Sequence, residues 1–141
     1  MNRKKVLHIS KYYPPYKGGI EDICKSIVEG LTEYDNKVFC YNDDLEDSYT
    51  NQNGIEIKRI STYFTLFSQP IAPFYKSKLK DVLDKFQPDL IHLHLPNPYA
   101  AYVVERLKPQ ATKLIIHWHS DIVSQKYIYP LFASIEKRIL D

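Results

Sequence analysis

The amino-acid sequence predicts an α/β fold built on a parallel sheet. Short apolar runs, typical of buried strands, alternate along the 141 residues with segments whose apolar residues recur at helical spacing. Strands that alternate with helices pair in parallel, because each helix carries the chain back across the sheet in a right-handed crossover. We therefore expect residues 1–141 to form a single Rossmann-like domain, a three-layer αβα sandwich.

The strand and helix segments can be placed in chain order. Residues 37–41, 89–95 and 113–118 are apolar enough to be buried on both faces, whereas residues 55–60 begin with alternating polarity, as an edge strand would. With residues 6–9 as the first strand, we expect a strand order of about 3-2-1-4-5, with the alternating strand at the edge. The predicted helices cover residues 20–31, 74–86, 98–107 and about 129–140.

Composition narrows the class of protein. Nineteen basic and seventeen acidic side chains give a net charge of +2, which argues against a nucleic-acid partner held by phosphate neutralisation. Cys24 and Cys40 fall in a helix face and a buried strand, so both are interpreted as small apolar core residues in a reducing compartment. The first apolar run is too short for a signal sequence. We expect a cytoplasmic protein.

The loop between the first strand and the first helix is built to receive a ligand. It contains three tyrosines, two prolines, two lysines and the pair Gly18-Gly19, and the helix begins directly behind the glycines. Free backbone N–H groups and the positive end of the helix dipole favour an anion such as phosphate. The alternative is a tight turn that needs glycine at positive φ.

Two further loops carry unusual composition. The acidic residues of 43–47 follow the second strand, where a dinucleotide-binding fold places its ribose carboxylate; a solvated loop closed by Asn53-Gly54 is the alternative. Residues 60–75 carry no charge and hold five aromatic side chains. This segment is either a connection packed against the sheet or a surface that meets a membrane or a lipid-linked substrate.

All five histidines lie near the predicted carboxyl ends of three neighbouring strands. They are His8, His92, His94, His117 and His119. Open α/β sheets bind ligands at this edge, so we expect the imidazoles to gather there. Each His-x-His pair projects from one side of its strand, so a bound metal and buried structural histidines both remain open. His119 precedes a polar turn, where a side chain can face a ligand.

Asn97 follows the fourth predicted strand and precedes a helix that begins with proline. Its carboxamide either caps that helix or, together with His94, hydrogen-bonds a hydroxyl-rich ligand. The sequence leaves both roles open.

Three motifs together resemble the N-terminal half of glycosyltransferase family 4 enzymes. They are S-K-Y-Y-P-P-Y-K-G-G-I-E from residue 10, D-L-I-H-L-H-L-P-N-P from residue 89 and H-W-H-S-D from residue 117. The resemblance covers nearly the whole chain. It implies the N-terminal half of a GT-B fold, in which two Rossmann-like domains face each other across a cleft.

The resemblance also implies roles for individual residues. Gly18 and Gly19 match the loop at the donor diphosphate, beside which Lys17 adds positive charge. His119 matches the catalytic histidine that points toward the transferred sugar, with Ser120 and Asp121 beside it. His94 and Asn97 match positions nearer the acceptor. Because aromatic faces pack on sugar rings, we expect Lys11 and three tyrosines to face the acceptor, namely Tyr12, Tyr13 and Tyr16.

The resemblance predicts a retaining glycosyltransferase that moves a hexose from a nucleotide diphosphate sugar to a glycan or lipid-linked saccharide, in polysaccharide or cell-envelope biosynthesis. It predicts no metal and no cofactor, with the nucleotide sugar as co-substrate. A C-terminal domain would hold most of the nucleotide, so residues 1–141 are expected to be inactive alone, and residues 60–75 could contact the inner face of the membrane. Two other classes stay open, a metal-dependent hydrolase and a non-catalytic binding module.

Overall fold

The computed structural model describes residues 2–119, whose strands and helices alternate much as predicted. In chain order they are β1 (Lys5–Ile9), α1 (Gly19–Gly30), β2 (Asp35–Tyr41), β3 (Ser48–Gln52), β4 (Ile55–Ile60), β5 (Phe64–Leu66), β6 (Gln69–Ile71), α2 (Tyr75–Phe86), β7 (Leu90–Leu95), α3 (Pro98–Leu107) and β8 (Lys113–Trp118). The helix predicted at residues 129–140 lies outside the described residues.

The main sheet has the order β3-β4-β2-β1-β7-β8. The five predicted strands are parallel and in the predicted order, so the fold class is confirmed. The prediction that residues 55–60 form the edge of the sheet is wrong, because β3 pairs antiparallel with this strand, β4, and covers its outer side. Asn53 and Gly54 join β3 to β4, and both have positive φ, as the two central residues of a tight hairpin turn require. Part of the segment predicted as a loop after residue 47 is therefore a strand.

The sheet separates two layers of helix. On one face α1 packs Cys24 and Val28 against Val38, Cys40 and Ile57. On the other face α2 and α3 cover a larger cluster drawn from every parallel strand except β8 and centred on Tyr75, which is fully buried. The chain crosses the sheet in one direction from β1 to β2 and in the other from β4 to β8, so right-handed crossovers place α1 opposite α2 and α3.

The two cysteines are buried and free, as the sequence predicts. Burial raises the pKa of each thiol to about 12. Both sulfurs therefore stay protonated at neutral pH and act as small apolar core groups.

Within residues 60–75, β5 and β6 form a small hairpin. The hairpin is anchored to the loop after β1, because Lys11 Nζ donates to the Ser68 carbonyl and Tyr12 hydrogen-bonds the Thr65 side chain. Its aromatic side chains are largely outside the core, with Phe64 58% and Phe67 75% exposed. Within residues 2–119, none of the helices has both the length and the apolar character needed to cross a bilayer.

Candidate functional site

The five imidazoles form one continuous row on the face of the sheet that α1 covers. Strand register explains the row, because His8 pairs with His92 and His94 pairs with His117, and paired residues of parallel strands project to the same side. Nδ1 of His8 lies 3.2 Å from Nδ1 of His92, and Nδ1 of His94 lies 3.0 Å from Nε2 of His119. The expectation that the histidines gather is confirmed.

A carboxamide fixes the first imidazole of the row. Nδ2 of Asn36 donates to the Leu31 carbonyl at 2.7 Å and to the Tyr34 carbonyl at 3.3 Å, which orients its Oδ1 toward Nε2 of His8 at 2.9 Å. Nε2 of neutral His8 therefore carries the proton and donates it, and Nδ1 presents a lone pair to His92. This role has no signal in the sequence, since Asn36 lies just before the predicted second strand.

The surroundings of the histidine row favour the neutral form of its imidazoles. Burial lowers the pKa of His8, although its hydrogen bond to Asn36 acts in the opposite direction. Burial, followed by repulsion from neighbouring imidazoles, lowers the pKa of His92 to about 4 and that of His94 to about 2. The pKa of His119 is lowered by burial and then by His117. At neutral pH these four rings are uncharged hydrogen-bonding groups.

His119 lies at the carboxyl edge of the row. Its backbone N–H donates to the Leu95 carbonyl at 3.0 Å and so extends the pairing of β8 with β7. Its ring is only 8% exposed and contacts the rings of His94 and His117. The predicted neighbours Ser120 and Asp121 lie outside the described residues.

Asn97 caps α3, one of the two roles that the sequence left open. Its Oδ1 accepts from the Ala100 N–H at 3.4 Å, a contact of the kind worth about 1 kcal/mol. Its Nδ2 is buried and, like Nε2 of His94, has no hydrogen-bond partner within residues 2–119. Both side chains are nearly fully buried, so in this conformation neither presents an open surface to an acceptor.

The glycine pair lies at the N-terminus of α1 without the positive φ of a tight turn. Gly18 is extended, with a φ of 173°, so that alternative is wrong. A Cβ on Gly18 would collide with the carboxylate of Glu21, whereas a Cβ on Gly19 would meet no atom within 4 Å. Among residues 2–119, the space over Gly19 is therefore open. The sequence analysis missed Glu21, although an acidic residue at the third helical position is a common signal of a helix start.

The tyrosines of the loop divide into buried and exposed rings. Tyr13 is buried between α1 and the sheet, and Tyr12 is buried against Tyr41. These placements do not support the predicted contact of either ring with a sugar, because packing in the core occupies both. Tyr16 stacks on Tyr12 at a centroid distance of 4.0 Å and is 43% exposed, so its outer face is available. Lys17 is exposed and belongs to none of the ion pairs among the described residues.

A cavity of about 790 Å³ lies between this loop and the acidic loop after β2. Aromatic rings line one side of it and carboxylates the other; the lining includes Tyr12, Tyr16, Tyr41, Asp43 and Asp44. Arg59 also lines the cavity and ties the two sides together, donating to the Pro14 carbonyl at 2.6 Å and to the Thr50 hydroxyl at 2.8 Å. Aromatic faces and carboxylate acceptors are groups that suit a polyhydroxylated ligand.

Comparison with known proteins agrees with this architecture. A crystal structure of α,α-trehalose 6-phosphate synthase from Burkholderia multivorans superposes with a TM-score of 0.50 over 98% of this chain and 37% of that one, at 11% identity, which is a likeness of fold alone. O-antigen chain mannosyltransferase C of Escherichia coli is 29% identical over 142 aligned positions, covering 96% of this chain and 37% of that protein. The chain thus spans little more than a third of the length of either.

The model of the family described as Glycosyltransferase Family 4 matches residues 17–141. The match contains the glycine pair at the start of α1, both His-x-His pairs and the carboxamide that caps α3. Since it covers most of the chain, the protein belongs to Glycosyltransferase Family 4.

Proposed function

We propose that this chain is the acceptor-side domain of a retaining glycosyltransferase, which transfers a hexose from a nucleotide diphosphate sugar to a glycan or lipid-linked saccharide. In this proposal the donor diphosphate lies against Gly19 and the first turn of α1, with Lys17 nearby. His119 hydrogen-bonds the transferred sugar as a neutral imidazole, and Asp121, two residues further along the chain, acts with it. The acceptor enters past Tyr16 and the cavity beside the acidic loop.

The observation that carries the proposal is the open space over Gly19 at the N-terminus of α1. A helix N-terminus offers free N–H groups and partial positive charge to an anion, and the missing side chain lets a phosphate approach the backbone. The Glu21 carboxylate takes the place beside Gly18. This contact supports an approach of the diphosphate over Gly19 and not over Gly18.

The test replaces the equivalent segment of the Escherichia coli mannosyltransferase with residues 1–141 and measures sugar transfer from a panel of nucleotide diphosphate sugars. We expect Gly19→Ala to weaken donor binding about tenfold, which corresponds to about 1.4 kcal/mol, because the added methyl group occupies the phosphate approach. The thermal stability of the 141-residue chain should not fall, since that methyl meets no atom of residues 2–119 and alanine is a better helix former than glycine.

Gly30→Ala is the matched control, because Gly30 is also a helical glycine of α1 with open space around it, at the opposite end. It should leave donor binding unchanged. Equal effects of the two variants on donor binding would contradict the assignment of Gly19. A chimaera that unfolds normally but transfers no sugar would contradict glycosyl transfer itself.

The exposed hairpin of β5 and β6 supports a lipid-linked acceptor. Three of its apolar side chains are at least half exposed, namely Phe64, Leu66 and Phe67, and Lys11 and Tyr12 hold the hairpin beside the candidate acceptor cavity. Exposed apolar patches commonly mark a membrane or protein contact. In our proposal the hairpin rests on the membrane surface that carries the acceptor.

We expect Phe67→Ser to weaken binding of the chain to vesicles of phosphatidylethanolamine and phosphatidylglycerol by at least roughly tenfold, because one inserted phenyl ring contributes about 1.5–3 kcal/mol. Cosedimentation measures the effect. Tyr49→Ser is the control, as Tyr49 is also an aromatic residue more than half exposed, on β3. If the unmodified chain does not sediment with vesicles, or if both variants lose binding equally, the hairpin is not the contact.

A further inference from the structure

We propose that His8, His92 and His94 form a binding site for a divalent transition-metal ion such as Zn²⁺. The three side chains come from β1 and β7, and all are buried. One ring nitrogen from each lies within 4.8 Å of the other two. The site does not depend on glycosyl transfer, and it lies deeper in the sheet than His119.

The spacing of the first two nitrogens suits a shared ion. Zn²⁺ binds imidazole nitrogen at about 2.0–2.1 Å, so two nitrogens on a tetrahedral ion lie about 3.3 Å apart. Nδ1 of His8 and Nδ1 of His92 are 3.2 Å apart. Imidazole nitrogen is also a preferred ligand of Zn²⁺, Cu²⁺ and Ni²⁺.

The arrangement around His8 is that of an oriented metal ligand. Metal-binding histidines usually donate their second ring N–H to a fixed oxygen, which holds the tautomer and the ring angle. Asn36 supplies that oxygen, and its own orientation is set by two backbone carbonyls. The lone pair of Nδ1 is thereby aimed at His92.

His94 contributes an independent observation. Its Nε2 is buried and has no hydrogen-bond partner in the part of the chain that the structure describes. An unpaired polar nitrogen in the interior costs free energy. Coordination of Nε2 to the ion would remove that cost.

The row contains a second possible trio, formed by His94, His117 and His119. His117 is only half-buried, and no hydrogen bond within residues 2–119 orients its ring. The trio with His8 has an orienting partner and all three of its members are buried, so we assign the ion there. His117 then serves as the control position.

The experiment uses the 141-residue chain stripped with a chelator and titrated with Zn²⁺ by calorimetry, and with Co²⁺ by visible absorption. We expect one ion per chain and, for Co²⁺, the intense visible bands of a tetrahedral complex. His8→Gln and His92→Gln should each weaken binding at least about 100-fold, and Asn36→Leu about tenfold through loss of orientation. His117→Gln should bind as the unmodified chain does.

Zn²⁺ affinity weaker than about 10 μM would overturn the site, as would a loss in His117→Gln equal to that in His8→Gln. X-ray absorption of the Zn²⁺ complex of the unmodified chain counts imidazole ligands and does not depend on whether any variant folds. Fewer than three imidazoles at the ion would also overturn the assignment.

Discussion

Acidification from pH 7 to pH 4, in the presence of a chelator, is expected to lower the free energy of unfolding by several kcal/mol. The unfolded chain binds protons on its histidines near the ordinary pKa of about 6.5, whereas the folded row resists protonation. Since the folded pKa values lie lower, the stability from the row is complete above pH 6.5 and declines as the pH falls toward them. His92, with a pKa lowered to about 4, contributes roughly 3 kcal/mol of this change.

Urea unfolding at intervals between pH 7 and pH 4.5 measures the effect. Most carboxylates stay ionised in this pH range, so they contribute little to the change. His94→Gln removes one of the titrating rings. The free energy of unfolding of this variant should depend less steeply on pH, because the unfolded chain takes up about one proton fewer in this window. A free energy of unfolding that stays constant from pH 7 to pH 5 would show that the buried row takes up protons as easily as the unfolded chain does.

Tyr75→Ala is expected to lower the free energy of unfolding by about 3–5 kcal/mol, the usual cost of removing a buried aromatic ring. Tyr75 is fully buried at the start of α2, where its ring contacts Phe39 at 5.0 Å, Tyr41 at 4.7 Å and Tyr99 at 5.6 Å between centroids. Removal leaves a cavity between the sheet and both helices of that face. Denaturant titration measures the loss.

Tyr75→Phe separates the ring from its hydroxyl. The hydroxyl is buried without a hydrogen-bond partner among residues 2–119, so its removal should raise stability by about 1 kcal/mol. Tyr49→Ala is the surface control, expected to change stability by no more than about 0.5 kcal/mol. A loss of stability in Tyr75→Phe would mean that the hydroxyl has a favourable partner in solution.

The order of the parallel strands could be predicted because apolar runs and helical spacing are local signals, and the crossover rule then fixes their arrangement. The same reasoning predicted that the histidines lie close together, since three neighbouring strands carry them. β3 was missed because Ser48–Gln52 lacks the alternation of a strand with one buried face. Its signal was the Asn53-Gly54 turn, which the sequence analysis assigned only to closing a loop.

Side-chain environments were harder to predict than positions. Three tyrosines in one loop look alike in sequence, yet packing buries Tyr12 and Tyr13 and leaves Tyr16 exposed. The hydrogen bond that His8 donates to Asn36 joins residues 28 positions apart and depends on the register of β1 and β2. Neither outcome has a local signal, because both depend on how separate elements pack.

The short strand β3 also protects the protein from aggregation. Without it, the outer backbone edge of β4, which carries three isoleucines, would be an open template for pairing with strands of other molecules. β3 occupies that edge, and its own outward side is short, polar and mostly solvent-exposed, which discourages further addition of strands. The solubility of the chain at high concentration therefore depends in part on a strand of five residues, three of which, Ser48, Thr50 and Gln52, also line the candidate acceptor cavity.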